Sequence, residues 1–251
     1  MKAVLPALAR PLIEAGLPAD IEPHWFTSQA EAAAMVADAD IAWVDMMRPE
    51  WTGEAAAAGA RLKWLSTIYA GIDAFDAGLL KARGTLLTNG VGINAIAVAE
   101  YAVMGMLAAA KRFDHVVRAQ DRREWLRDAP GKVELFETRA LVIGYGTIGQ
   151  LIGQRLAAFG VEVTGVTRSG RDGTLTPDQW RGRIGEFDWV ILAAPSTGDT
   201  HALLGAAELA AMKPGTWLVN IARGDMVEQP ALIEALETRR IAGAFLDVAD
   251  P

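Results

Sequence analysis

One short stretch, Arg139-Ala-Leu-Val-Ile-Gly-Tyr-Gly-Thr-Ile-Gly149, limits what this chain can fold into more than any other. Its apolar, β-branched start (Leu141, Val142, Ile143) reads as a buried strand. The residues after it (Ile148, Leu151, Ile152, Leu156) recur at helical spacing. Between them lies G-x-G-x-x-G, with glycines at 144, 146 and 149. In a strand-turn-helix setting the three have separate tasks. Gly144 permits the turn, Gly146 lets a pyrophosphate approach the backbone, and Gly149 lets helix and strand pack closely. The helix start, including Thr147 and Ile148, then offers free amides and the positive end of the helix dipole to phosphate. The alternative is a plain strand-to-helix turn that binds nothing.

The rest of the chain repeats the alternation. Strand signals at residues 4–5, 21–25, 41–44, 62–67 and 86–87 alternate with helical ones at 30–39 and 51–59. A glycine-rich segment, Asn89-Gly-Val-Gly92, follows as a hinge candidate. A long helix is expected over 95–113. A second series of strands lies at 141–143, 161–166, 189–193, 217–221 and 244–248, with a helix at 230–238 started by Pro230. Such alternation implies α/β architecture: a doubly wound, Rossmann-type parallel sheet over residues 91–251 and a smaller, flavodoxin-like α/β domain over 1–90. The charged segment 111–132 reads either as a solvated loop or as an arm over a second subunit, with Trp125 as its anchor.

Composition removes several function classes. The net charge of −7 argues against a nucleic-acid partner. With no cysteine there is no thiol nucleophile and no thiolate metal site, and no metal is expected. A reducing, cytoplasmic setting fits. The apolar run 95–110 carries Glu100 and is too short for a bilayer, and Pro6 and Arg10 interrupt the N-terminal one, so no membrane association is expected.

The end of the second Rossmann strand selects between NAD(H) and NADP(H). An acid there would hold the ribose 2′-hydroxyl, and a base would accept a 2′-phosphate. Thr167 occupies the acidic slot, Arg168 follows, and Ser169 and Arg171 add donors. No acid occurs from 163 to 171, so NADP(H) is favoured over NAD(H). Alternatively, Arg168 and Arg171 are ordinary surface arginines, partly offset by Asp172.

Asn220-Ile-Ala-Arg-Gly224 ends a buried strand with an arginine beyond its carboxyl end, where open α/β sheets bind ligands. A guanidinium cannot donate its proton at working pH. It can grip a carboxylate and polarise a neighbouring carbonyl, which suits a 2-oxo acid. A structural arginine is the alternative.

These segments, in order with Leu62-Lys-Trp-Leu-Ser-Thr-Ile-Tyr-Ala-Gly-Ile-Asp73, 89–101, Ala193-Ala-Pro-Ser-Thr197 and Ala242-Gly-Ala-Phe-Leu-Asp-Val248, resemble the D-isomer-specific 2-hydroxyacid dehydrogenases, of the glyoxylate/hydroxypyruvate reductase kind. The resemblance is clear from about residue 60 onward. It implies that the Ala70-Gly71-Ile72 backbone binds a substrate carboxylate and that Arg223 is the catalytic arginine. It also implies that Ile221 and Ala222 border the nicotinamide, that Asp247 holds its carboxamide, and that Ala194, Pro195 and Thr200 line the coenzyme cleft. The implied reaction is reduction of a small 2-oxo acid to the D-2-hydroxy acid by hydride transfer, in a homodimer formed through residues 95–131.

The family's proton donor is a histidine paired with a glutamate. The resemblance puts the glutamate at about Asp250-Pro251 and the histidine later, followed by a helix that closes the first domain, which implies a longer natural protein. His24, His115 and His201 match neither role. A nucleotide-binding, redox-sensing module or a catalytically incompetent paralogue is the competing reading. Met46 and Met47, after the 41–44 strand, are either pocket residues or core filling.

Overall fold

The structure, a computed structural model, describes residues 1–250. The final residue of the expected second domain, Pro251, lies outside them. Two compact units divide the chain, Met1–Ile93 and Asn94–Pro251.

In the first unit five short strands, β1 (Lys2–Pro6), β2 (Glu22–Phe26), β3 (Ile41–Trp43), β4 (Trp64–Ser66) and β5 (Leu86–Thr88), form one parallel sheet in the order β2-β1-β3-β4-β5. Four helices accompany them: α1 (Arg10–Ile13), α2 (Gln29–Val36), α3 (Pro49–Ala58) and α4 (Ala77–Arg83). The sheet's core is Val4, Ala42 and Leu65 from the strands, with Val44 just past β3, against Ala32, Val36, Ala55 and Ala56 from the helices. Alanine on the helix faces keeps each helix close to the sheet. Local signals set the helix ends. Ser28 Oγ accepts the Glu31 amide at the start of α2, while Glu31 reaches back to the Thr27 amide and hydroxyl. Asp76 caps α4, and Gly84 closes it in the left-handed region at φ 72°. That helix is absent from the sequence expectation, although its aspartate and glycine bracket it.

The second unit contains α5 (Ala95–Ala110), α6 (Phe113–Asp121), β6 (Arg139–Ile143), α7 (Thr147–Ala158), β7 (Glu162–Val166), α8 (Pro177–Trp180), β8 (Trp189–Leu192), α9 (Ala206–Ala211), β9 (Trp217–Asn220), α10 (Gln229–Glu237) and β10 (Gly243–Leu246). Its strands are again all parallel, in the order β10-β9-β8-β6-β7. Both units therefore have the flavodoxin-type order, whose reversal lies between the first and third strands: β1/β3 in one and β6/β8 in the other. Purely parallel sheets are buried on both faces, and β8 shows it, with Trp189, Val190, Ile191 and Leu192 all buried. One face packs on α5 and α7 through Met106, Ile152 and Leu156, and the other on Trp180, Leu209, Met226 and Leu232.

The expected long helix over 95–113 is two helices. Arg112 takes φ 47°, in the left-handed region, so the chain turns and restarts as α6. The segment 111–132, read as either a solvated loop or an arm, thus holds a helix at its start, and His115 lies on α6. Trp125 beyond it is 91% exposed. Met46 packs against the first unit's core, whereas Met47 is fully exposed. No helix among the described residues is long and apolar enough to cross a membrane.

Candidate active site: the carboxyl edge of the second sheet

Strand register aligns the site. Val166, Ile143, Leu192, Asn220 and Leu246 lie on one row across the five strands. The chain leaves each strand just past that row, so Thr167, Gly144, Ala193, Ile221 and Asp247 stand along one edge. Four inter-strand steps at ~4.8 Å make that edge about 19 Å long, enough for an extended dinucleotide.

The glycine turn sits at the reversal between β6 and β8. Gly144 adopts φ 99°, and a Cβ there would overlap the Ala193-Ala194 backbone. Gly149, buried in the first turn of α7, lies so close to the Gly144 carbonyl that a Cβ would overlap it. Gly146 differs: a Cβ there would meet nothing within 4 Å. The open space in front of it is where a phosphate would approach. Gly146 is the N-cap of α7, no side chain caps that helix, and the amides of its first turn have no intrahelical acceptor. Thr147 is exposed and Ile148 half-buried in that turn. These features fit a pyrophosphate.

A cavity of about 850 Å³ extends from this turn. Gly144, Tyr145 and Gly146 line it, joined by Thr167, Arg168 and Arg171 after β7 and by Ala194, Pro195 and Thr200 after β8. Ser169 is exposed but does not line it. Thr167 and Thr174 share a hydroxyl hydrogen bond of 2.7 Å, which ties the two ends of the 167–174 loop. Thr200 Oγ1 donates to the Pro195 carbonyl at 2.8 Å and accepts the Thr197 amide at 2.8 Å, closing the loop after β8. Three lining residues lie outside the sequence reading: Trp180 and Pro177 on the wall and Asp199 at the rim. Asp199 Oδ2 accepts from Arg168 Nη2 at 3.2 Å. The carboxylate that meets Arg168 is therefore this one, from the loop after β8, and not Asp172. Both partners are more than 80% exposed, so the pair contributes about 0.2–1 kcal/mol and yields readily to a stronger anion.

At the other end of the edge, Ile221 and Ala222 are buried and Arg223 is exposed. Asn220, 1% exposed, organises that turn: its Nδ2 donates to the Arg223 carbonyl at 2.8 Å and its Oδ1 accepts the Ala222 amide at 3.0 Å. Its own carbonyl accepts the Asp247 amide at 2.9 Å, which brings Asp247 beside the Arg223 turn. Arg223 Nη1 donates to the Ala222 carbonyl at 2.7 Å. Ser196 Oγ donates to Asp225 Oδ2 at 2.7 Å and couples this turn to the loop after β8. Arg223, Ile221, Ala222 and Asp247 thus form one group, and the glycine turn, Arg168 and Arg171 form another, on the same edge.

The first unit places Ala70, Gly71 and Ile72 in the loop after β4, at or near the surface. Its neighbour 89–92, expected as a hinge, is fastened at one end: Asn89 Nδ2 donates to the Ala70 carbonyl at 2.8 Å and the Gly90 amide to the Tyr69 carbonyl at 3.0 Å. Gly92, at φ 94°, keeps a glycine-only conformation.

Residues 103–251 match the family model of the D-isomer specific 2-hydroxyacid dehydrogenase NAD binding domain. The chain belongs to that family. It is 36% identical over 193 residues to a D-lactate dehydrogenase of Treponema pallidum, covering 74% of this chain and 58% of that protein. A solved acyclic imino acid reductase in complex with NADPH and D-Arg superimposes with a TM-score of 0.85 at 26% identity, over 100% of this chain and 84% of that one. An NADPH-dependent glyoxylate/hydroxypyruvate reductase of Sinorhizobium meliloti, solved with NADP and malonate, gives 0.82 at 27% identity, over 100% and 80%. The second unit is thus a domain for a nicotinamide dinucleotide.

Proposed function

We propose that this chain acts as an NADPH-dependent reductase that converts a small 2-oxo acid of the glyoxylate or hydroxypyruvate type into the D-2-hydroxy acid. One observation carries the reading: a single register-aligned edge has an open, amide-lined glycine turn and two arginines toward one end and a third arginine toward the other.

In this reading Gly146, Thr147 and Ile148 hold the pyrophosphate through backbone amides, with Gly144 and Gly149 keeping the turn tight. Ala194, Pro195 and Thr200 form the wall. Ile221, Ala222 and Asp247 border the nicotinamide. When bound, the reduced nicotinamide would supply a hydride to C2 of the substrate and leave as the oxidised coenzyme, the carbonyl oxygen taking its proton from solvent. Arg223 grips the substrate carboxylate and polarises the adjacent carbonyl, remaining charged throughout. In the first unit the amides of Ala70, Gly71 and Ile72 are candidates to bind a substrate carboxylate: no protein acceptor takes them among the described residues.

For the coenzyme, Arg168 and Arg171 at the cavity rim, with Thr167 where an acid would hold a ribose hydroxyl, support NADP(H) over NAD(H). Ser169 remains a candidate donor from outside the lining. A 2′-phosphate carries about −1.5 to −2 charges, against one on Asp199, and so wins Arg168 from it.

A homodimer through residues 95–131 is supported by an apolar groove of about 620 Å³ between α5 and α7, lined by Val103, Met104, Leu107 and Phe159, and by the exposed Phe113 and Trp125. Light scattering reads it directly. The absence of cysteine fits a cytoplasmic setting.

The test is NADPH absorbance loss with glyoxylate, hydroxypyruvate and phenylpyruvate in turn, each with and without an amine to include 2-imino acids. Tight NADPH binding with no oxidation by any of them favours a nucleotide-sensing module over the reductase.

A further inference from the structure

We propose that Asp45 is a positioning residue, whose carboxylate clamps the 67–72 loop so that successive backbone amides present themselves to a substrate carboxylate. The inference rests on the reading that residues 70–72 bind that group.

Asp45 lies two residues past the end of β3, half-buried, beside the end of β4. Three donors converge on it. Trp43 Nε1 donates to Oδ2 at 2.6 Å, the Ile68 amide to Oδ2 at 2.7 Å, and Thr67 Oγ1 to Oδ1 at 2.6 Å. Thr67 is itself 3% exposed, and its hydroxyl accepts the Tyr69 amide at 3.1 Å, so the clamp extends one residue further. Tyr69 is held at its other end as well, its hydroxyl donating to the Met46 carbonyl at 2.7 Å. Burial first, and then the Asp45 carboxylate, hold the Tyr69 phenol above its usual range, so it stays a donor at neutral pH.

What the clamp achieves follows from peptide geometry. In a trans peptide the carbonyl of one residue and the amide of the next point in opposite directions. The Tyr69 carbonyl is tied to the Gly90 amide and the Ala70 carbonyl to Asn89. The Ala70 and Gly71 amides must therefore point away from the 89–90 segment, and no protein acceptor takes either of them among the described residues. Successive amides with a common heading form an anion-binding concavity. Asp45 fixes the segment's entry and residues 89–90 fix its exit. An anion beneath an anion-binding loop would be unfavourable if bare. With three donors on its four or so lone-pair sites, this one is compensated.

The test compares wild type with Asp45→Asn, which conserves volume but turns an amide donor toward a donor. Hydrogen exchange is followed by mass spectrometry on the full chain, and steady-state kinetics are measured with the best 2-oxo acid. Exchange should accelerate in peptides covering 67–72 and remain unchanged over α7. The KM for the 2-oxo acid should rise about tenfold, the scale of one lost charge-assisted hydrogen bond, with kcat and coenzyme KM within about twofold. Thr67→Val should act in the same direction and replaces Asp45→Asn should that variant not fold. Unchanged exchange overturns the clamp. Faster exchange with unchanged substrate KM overturns its link to the carboxylate and leaves the reductase reading standing. If wild type turns over no 2-oxo acid, that reading fails instead. Oxalate then serves as the probe: protection of 67–72 in wild type but not in Asp45→Asn supports the clamp, and no protection in wild type overturns it.

Discussion

Two alanine substitutions two residues apart separate the structural and ligand-binding roles of the glycine turn. At Gly144 alanine incurs the strain of a side chain at φ 99°, about 1–3 kcal/mol, plus overlap with the Ala193-Ala194 backbone, which cannot move without disturbing β8. The expected loss is about 2–5 kcal/mol, or roughly 5–20 °C in Tm for a unit of this size, with or without coenzyme. At Gly146, φ is −87°, a value any L-residue adopts, and the new methyl meets nothing within 4 Å. Only the poorer N-cap preference of alanine remains, about 0.5–1 kcal/mol. That methyl does stand in the space assigned to phosphate. Loss of one charge-assisted hydrogen bond there, ~1.5–3 kcal/mol, weakens binding by about 10- to 150-fold. Trp180 lines the cavity, so quenching of its fluorescence during NADPH titration reports affinity, and differential scanning fluorimetry reports stability. A folded Gly146→Ala protein that bound NADPH within about twofold of wild type would show that the phosphates do not pass over this amide, refuting the assignment of the turn.

Arg168→Asp should shift the ratio of NADPH to NADH affinity toward NADH, whereas Asp199→Asn, by releasing Arg168, should tighten NADPH a few-fold and leave NADH unchanged; paired calorimetric titrations read both. Asn220→Ala removes two hydrogen bonds and leaves the buried Ala222 amide without its acceptor, so urea unfolding should show a loss of about 1–3 kcal/mol, together with a fall in turnover from a loosened Arg223 turn. Glu31 is held below its usual value of 4.5, first by the Thr27 amide and then by its hydroxyl. A depressed folded-state value stabilises above 4.5 and ceases to do so as pH falls through it. The Tm difference between wild type and Glu31→Gln should therefore be full at neutral pH and shrink progressively as pH falls below 4.5; a gap that does not shrink there contradicts the assignment.

Much of the fold was legible because parallel strands buried on both faces are written as apolar runs, as in Leu141–Ile143 and Trp189–Leu192. Errors arose where one residue changes direction. Nothing local distinguishes Arg112, whose left-handed backbone divides the expected long helix and starts α6 inside a charge-rich segment. The helix α4 was legible in principle from Asp76 and Gly84, but its few apolar residues, Leu79 and Leu80, form no long periodic stripe. On the candidate site the glycines and Arg223 stood out because their chemistry is local to one turn.

Asp199, Asn220 and Asp45 did not stand out, for a common physical reason. Each acts on atoms of another segment or on a turn's backbone. Asp199 meets an arginine 31 residues away, Asn220 wraps a turn with its own amide, and Asp45 collects donors up to 23 residues distant. The ligand-facing groups proposed for phosphate and carboxylate are mostly backbone amides, which every residue carries and no sequence position advertises. Side-chain identity enters one step behind them, in the groups that hold those amides in place. A glycine marks where a backbone must be approached. The polar residues that direct that backbone can be recognised only once register has brought β3 beside β4 and β9 beside β10. Substitutions at such residues should therefore alter affinity while leaving the ligand-contacting atoms chemically unchanged.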